Sequence, residues 1–465
     1  MASNPGLVIA DPGLPRPNPT QPYWQDVAHP LAEVQSSELP ASADYTIIGS
    51  GITGLSVAKT LLENNPNCTV TVLEARKLCS GATGRNGGQL APNAGEEYMS
   101  LSETYGPHAA GKIVRFTFRN IQEMRVLARQ YAPEESELQD VQKLRVFETP
   151  EMFDRFQSSI ALLEKDHPDL KGLYTILDQE TVLQKYGIHG ASGGALVPAG
   201  TLWPYRLVTK VWAALVEKYS SRLSIETSTP VTAVSGSGSY TVHTPRGYIQ
   251  TANVVYCTNG HTGHLLPALR GHIYPFKGTM TVQDPGNSLP NQGSSLSWGL
   301  HYPISHDPET DKYASGLFYL AQSVKTGFFY FGGERTLLRD TLSPDDSTLG
   351  RGSLANLQQT LPAYFGRPSE QWKLVSAWSG IMGFSSDGLP VVGRLPLSIT
   401  RRSGNGEWIA AAFNGYGMAN CLLAGEALAR MMLGDDVSAW FPETYLVDEE
   451  RVRRAEKDLE PTAKL

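Results

Sequence analysis

Three glycines and one carboxylate carry the first chemistry in this chain. Gly49, Gly51 and Gly54 stand in the order G-x-G-x-x-G, and Glu74 follows the last of them by twenty residues. Gly49 permits a tight turn, Gly51 a close backbone approach to a pyrophosphate, and Gly54 close packing of a helix on a strand. The helix N-terminus then turns its unpaired N–H groups toward phosphate. A carboxylate at the position of Glu74 accepts hydrogen bonds from ribose hydroxyls. Ser50 lies inside the turn, and Ala75 and Arg76 follow the acid. Next comes Thr83-Gly84-Arg85-Asn86-Gly87-Gly88-Gln89, with the donors and the close backbone approach that a long, flat, phosphate-bearing ligand needs.

These residues need particular elements to hold them, and the pattern supplies them. Residues 45–48 form an apolar strand, 55–63 an amphipathic helix and 70–73 a second strand that Glu74 ends, which is the context a dinucleotide cradle requires. Helices are expected over 106–131, over 150–167 behind Thr149-Pro150-Glu151, and over 204–219. Short strands follow at 223–225, 231–234, 240–243 and 248–251. The apolar strand 252–256 leads into Cys257-Thr258-Asn259-Gly260 and is placed to rejoin the first sheet. Residues 271–375 are aromatic and strand-like, best at 274–282, 316–320 and 327–331, and predict a second, antiparallel layer. Residues 377–393 are too rich in Gly and Pro to be regular throughout. Strand 408–413, the turn Asn414-Gly415-Tyr416-Gly417 and a helix over 418–433 make a second strand–glycine–helix junction.

Composition excludes several classes of protein. A net charge of -7 over 465 residues argues against a nucleic-acid surface, which needs clustered Lys and Arg. No apolar run of eighteen residues predicts a membrane span. The four cysteines, Cys68, Cys79, Cys257 and Cys421, have no metal-ligand spacing, so no metal is expected and a reducing compartment fits. Residues 1–43 are rich in Pro, Ser and Asn and are expected to lie as an extended leader without chemistry, with Trp24 either an anchor or an exposed aromatic. The chain ends Ala463-Lys464-Leu465, similar to the Ser-Lys-Leu peroxisomal address. It predicts an import receptor as partner and, failing that, a cytoplasmic protein.

Residues 45–88, with the stretches AWSGIMGFSSDGLPVVG and FNGYGMANCLLAGE, resemble the FAD-dependent amine and amino-acid oxidases related to D-amino-acid, glycine and sarcosine oxidases. Residues 83–89 are especially similar to the γ-glutamylputrescine oxidase branch and its fungal relatives. The resemblance implies an α/β fold, α+β overall: a Rossmann-like FAD-binding domain interleaved with an antiparallel-sheet substrate domain. The FAD-binding parts are expected at 44–105, 196–264 and 376–434, and the substrate parts at 106–195 (helical) and 265–375 (sheet), with 435–465 as a tail.

The same resemblance implies roles. Gly49, Ser50, Gly51 and Gly54 would hold the FAD pyrophosphate, and Glu74, Ala75 and Arg76 the adenosine half. Thr83, Arg85, Asn86, Gly87, Gly88 and Gln89 would run up to the flavin ring. Val231 would meet adenine, and Thr258, Asn259 and Gly260 would close the nucleotide site. Gly383, Asp387 and Pro390 would precede the last strand, and Gly415, Tyr416, Gly417 and Met418 would lie beneath the flavin pyrimidine. A helix opening there would stabilise the negative charge that a flavin accepting hydride develops at its N1–C2=O edge. FAD is expected to be non-covalent, with a thioether to Cys79 as the alternative.

The sequence carries no second G-x-G-x-x-G cradle followed by an acid, so electrons are expected to come from the substrate and not from NAD(P)H. The expected reaction is oxidation of the C–N bond of a small amine or amino acid to an imine, with oxygen reduced to hydrogen peroxide. A same-fold dehydrogenase, a 2-hydroxyacid oxidase and a flavin-binding protein without turnover are the alternatives. Lys277 and Tyr416 are the catalytic candidates, each set against an ordinary exposed-strand or packing role. Trp203, His272, Tyr302, Tyr319 and Arg335 are the substrate-pocket candidates.

Overall fold

Strand Ser42–Ile48 sits between two parallel neighbours, Val70–Leu73 on one side and Gly247–Tyr256 on the other. The computed structural model describes residues 10–452. All four residues of Val70–Leu73 are buried, as a parallel strand covered on both faces requires. Leu223–Glu226 extends this sheet beyond Val70–Leu73, and Glu407–Ala411 and then Val391–Arg394 extend it beyond Gly247–Tyr256. The two short strands expected around residue 250 are this one ten-residue strand. Helix Ile52–Asn64 follows the first strand and packs against helix Cys421–Leu433 near the far end of the chain. Their contact is tight: a Cβ on Gly425 would lie 2.7 Å from the Thr53 carbonyl oxygen.

The second sheet has ten strands: eight in the order Lys373–Ser385, Ile273–Asp284, Phe329–Leu337, Lys312–Gln322, Leu296–His301, Gln139–Phe147, Gly193–Thr201 and Gln89–Leu90, with Ser305–Asp307 and Thr175–Asp178 paired off this path. It is antiparallel except between Leu296–His301 and Gln139–Phe147, which run parallel. Residues 377–393 are not regular throughout, as expected: the thirteen-residue strand Lys373–Ser385 ends in a turn before strand Val391–Arg394 begins. The glycines of Lys373–Ser385 do not break the strand; they admit neighbours. A Cβ on Gly383 would meet Asn259 Oδ1 at 2.4 Å, and one on Gly380 would meet the Arg85 Cβ at 3.2 Å.

Helices Pro107–Tyr131 and Pro204–Lys218 form where the period-3.6 pattern predicts. The first does more than pack. Buried Asn120 donates to Met418 O at 3.0 Å and accepts from Leu423 N at 2.9 Å, fixing the turn that precedes the last helix. That helix opens at Cys421, after the short turn Gly417–Ala419, and not at Met418 as expected. No described helix is long and apolar enough to cross a membrane.

Candidate active site

The glycine turn closes as its spacing demands. Gly49 has φ +112°, and a Cβ there would lie 2.5 Å from the Cys257 carbonyl oxygen; one on Gly54 would lie 2.0 Å from Gly49 O. Gly51 caps helix Ile52–Asn64 without a side chain, which leaves N–H groups of its first turn for a ligand. Thr83 Oγ1 takes one of them, from Ile52, at 3.1 Å. Glu74 is fixed by Ser50, whose N–H and hydroxyl donate to it at 3.1 and 2.7 Å, and by the Arg76 N–H at 3.0 Å. The Glu74 carbonyl accepts from Thr229 N at 2.8 Å, which brings Val231 beside the acid.

A single cavity of about 1110 Å³ begins at this turn. That exceeds the range of about 300–1,000 Å³ usual for drug-sized ligands, and suits a dinucleotide with a substrate beyond it. Of the expected cofactor residues, Gly49, Ser50, Gly51, Glu74, Ala75, Arg76, Thr83, Arg85, Asn86, Gly87, Gln89, Val231, Thr258, Asn259, Gly260, Gly383, Asp387, Gly415, Tyr416, Gly417 and Met418 line it. Gly54, Gly88 and Pro390 do not. Gly54 packs the helix, Gly88 makes a turn at φ +70°, and the Pro390 carbonyl accepts from Arg451. Asp387 spends its carboxylate on Arg451, at 2.7 and 3.0 Å. Asn414, at φ +51°, accepts from Ser385 N at 2.8 Å and pins the junction that presents Tyr416.

The substrate candidates divide. Tyr302, Tyr319 and Tyr416 line the cavity; Lys277, Trp203, His272 and Arg335 do not. Lys277 misses it by one position in a strand whose side chains alternate. Tyr274, Phe276, Gly278 and Met280 line the cavity, and Lys277 turns to the other face, in the field of Glu334 and Asp345. Arg335 lies over the Tyr302 ring at 4.5 Å with its head half in solvent. Trp203 stacks under Arg206 and donates to Trp24 O at 2.9 Å. His272 meets Ser386 at 2.8 Å, and burial lowers it to about 4. Cys79 is fully buried away from the cavity, and burial and then Glu74 push its thiol well up, so the thioether alternative does not fit this placement.

Beneath the second sheet the cavity has a polar limb that the sequence did not single out. Lys143 lines it while only 2% exposed, and donates to Gln89 Oε1 at 2.6 Å. Gln89 is itself held by Leu320 O and Trp298 O, at 2.5 and 3.3 Å. Burial, and then repulsion from Arg145, lower Lys143 to about 7 against the opposing pull of Glu96. Arg145, wholly buried, pairs with Glu96 and donates to His301 Nε2 at 3.3 Å. Burial and the two cations keep His301 far below its ordinary value and thus neutral. Glu97 lines the cavity beside Glu96, with its side chain open to that space. Glu334, holding Ser353 at 2.7 Å and the Thr279 N–H, is raised to about 7 by burial. The sequence did hold a signal: Lys143 and Arg145, two apart among the apolar residues of 141–147, put two cations on one face of a buried strand.

A glycine turn, an N-terminal helix end, a ribose acid and a polar chamber on one cavity define a nucleotide-dependent redox enzyme. The FAD dependent oxidoreductase family matches residues 44–431, and the chain belongs to that family; FAD is its cofactor. The gamma-glutamylputrescine oxidoreductase of Escherichia coli (strain K12) is 23% identical over 428 residues, covering 90% of this chain and 89% of that protein. Among solved structures, glycine oxidase from Geobacillus kaustophilus superposes with a TM-score of 0.68 at 18% identity, covering 88% of this chain and 99% of the other. L-proline dehydrogenase from P. horikoshii gives 0.67 at 19%, covering 90% and 99%. Both share the fold.

Proposed function

We propose that the protein oxidises the C–N bond of a small amine or amino acid. The carbon next to nitrogen loses a hydride and nitrogen a proton, the resulting imine is hydrolysed, and molecular oxygen takes up the two electrons and two protons as hydrogen peroxide. FAD, when bound, supplies the two-electron relay between that C–H bond and oxygen. The observation that carries this reading is the continuity of the cavity from the glycine cradle to the polar limb, which sets a small polar substrate against the cofactor. The likeness to a gamma-glutamylputrescine oxidoreductase supports a nitrogen-bearing substrate.

Within the limb, Lys143 is the cation for a substrate carboxylate, because among the described residues its hydrogen-bond partner is a neutral amide, and the nearby Glu96 is already paired with Arg145. Glu334, buried and held near 7, is matched to accept a proton from a substrate ammonium at neutral pH. Tyr416 forms the wall beside Arg145 and orients the substrate. Ala463-Lys464-Leu465, outside the described residues, we read as a peroxisomal address, which suits a peroxide-forming enzyme.

A panel of amines, polyamines and amino acids, scored for anaerobic bleaching of the bound flavin, tests the reading. Bleaching by at least one of them, with one peroxide per turnover in air, is expected. Bleaching by none refutes the substrate class; turnover only with a quinone or carrier makes the enzyme a dehydrogenase.

A further inference from the structure

Residues 10–43 precede the stretch that matches the family, yet Gly13, Leu14 and Pro15 line the cavity. Three separate walls of the cradle hold this segment. Past the turn at Thr258–Gly260, His261 Nδ1 meets Gly13 O at 3.1 Å, while Arg270 and His264 hold Asp11 at 2.7 and 3.0 Å. Burial lowers His261 to about 4, so its ring is neutral and the Nδ1–H donates. Beside Glu74, Arg76 donates to Arg16 O at 3.3 Å and pairs with Asp346 at 2.9 Å. From the loop at 83–89, Arg85 donates to Thr20 Oγ1 at 3.0 Å, and Gly84 O and Asn86 O accept from Gln25 and Trp24.

A segment tied to three walls of one opening, with its own residues facing the space, closes that opening. The structure assigns residues 11–25 as a strap, anchored at 20–25, whose residues 13–15 lie over the adenosine-diphosphate half of FAD and must lift before the cofactor leaves. Its two ends differ in strength. Trp24 is 2% exposed, packed edge-on against Trp203 and Trp378, with centroids at 4.9 and 6.4 Å. Asp11, by contrast, is held by an ion pair to Arg270 and a hydrogen bond with His264, all on side chains 25–41% exposed. The Asp11 end therefore opens first, and opening is sensitive to salt. This inference rests on FAD alone and stands whichever substrate the polar limb takes.

Flavin release from the full-length holoenzyme, followed by fluorescence after dilution, tests it. Asp11→Ala is expected to release FAD about threefold faster, in line with a partly exposed ion pair. Asp11→Lys, which faces two basic groups, is expected to release it faster still, and wild-type release is expected to quicken with salt more than release from either variant. Amide hydrogen exchange supplies a second measurement, with FAD expected to slow exchange across residues 13–20. Unchanged release in both variants overturns the strap, as does equal exchange at 13–20 with and without FAD.

Discussion

Gly54→Ala sets two effects against each other, and the structure decides the sign. Gly54 lies in the first turn of helix Ile52–Asn64, where propensity alone favours Ala by about 1 kcal/mol. Its Cβ would stand 2.0 Å from the Gly49 carbonyl oxygen and 3.4 Å from Ile47 Cγ2. The first separation is more than 1 Å short of a comfortable contact of about 3.5 Å. A backbone carbonyl cannot rotate away as a side chain does, so the helix must retreat from the strand. Overpacking of this kind costs about 3 kcal/mol at the upper end of its usual range. The net expectation is destabilisation by about 2 kcal/mol, with FAD affinity falling at least about tenfold because the helix N-terminus moves off the phosphates. Thermal unfolding of the holoenzyme and flavin content per chain measure both. Gly352→Ala is the control, because its Cβ would meet only the Thr336 side chain, at 3.1 Å from the hydroxyl and 3.9 Å from Cβ, and no backbone atom, and it is expected to be tolerated. A Gly54→Ala protein as stable and as yellow as wild type refutes the argument.

Four further outcomes are expected. Lys143→Met should raise KM for carboxylate-bearing substrates by about 10- to 100-fold, the value of a hydrogen bond to a charged group, while the matching decarboxylated amines change little. Because Lys143 titrates at about 7, carboxylate binding in wild type should be full below pH 7 and fall about tenfold per unit above it; Lys143→Arg should flatten this profile. Asp346→Ala strands the guanidinium groups of Arg76 and Arg85, which lie 2.9 and 3.6 Å away, and should cost about 3–5 kcal/mol, read as a lower unfolding midpoint. Acid precipitation should release all of the flavin into the supernatant, and Cys79→Ser should not alter that, since Cys79 lies outside the cavity.

What was legible in the sequence was local. Gly49 to Glu74 spans a single strand–helix–strand unit, so its spacing alone carries the geometry, and the turn at Asn414–Gly417 announces itself by its glycines. The substrate wall is different in kind. Lys143, Arg145 and His301 meet only because strand Leu296–His301 pairs in parallel with Gln139–Phe147, and no short motif records a pairing across that much chain. Glu96 and Glu97 join them from a loop with no period to read. Lys277 lies on the expected strand, but strand alternation turns it to the face opposite Phe276 and Gly278, which line the cavity. In the leader, Pro-rich composition describes the backbone and says nothing of what Asp11 and Thr20 touch, while Trp24 proves to be the anchor of the two alternatives.

The order of strands in the first sheet also bears on how the protein folds. Ser42–Ile48 waits for Gly247–Tyr256 as one neighbour, and that strand in turn waits for Glu407–Ala411. The glycine turn therefore lacks its flanking wall, the strand that ends at Tyr256 and the Cys257 carbonyl beyond it, until segments far along the chain have come together. Such long-range pairings slow folding and prolong exposure of unpaired edges. The cradle is thus a product of tertiary pairing, not of the glycine-bearing segment alone.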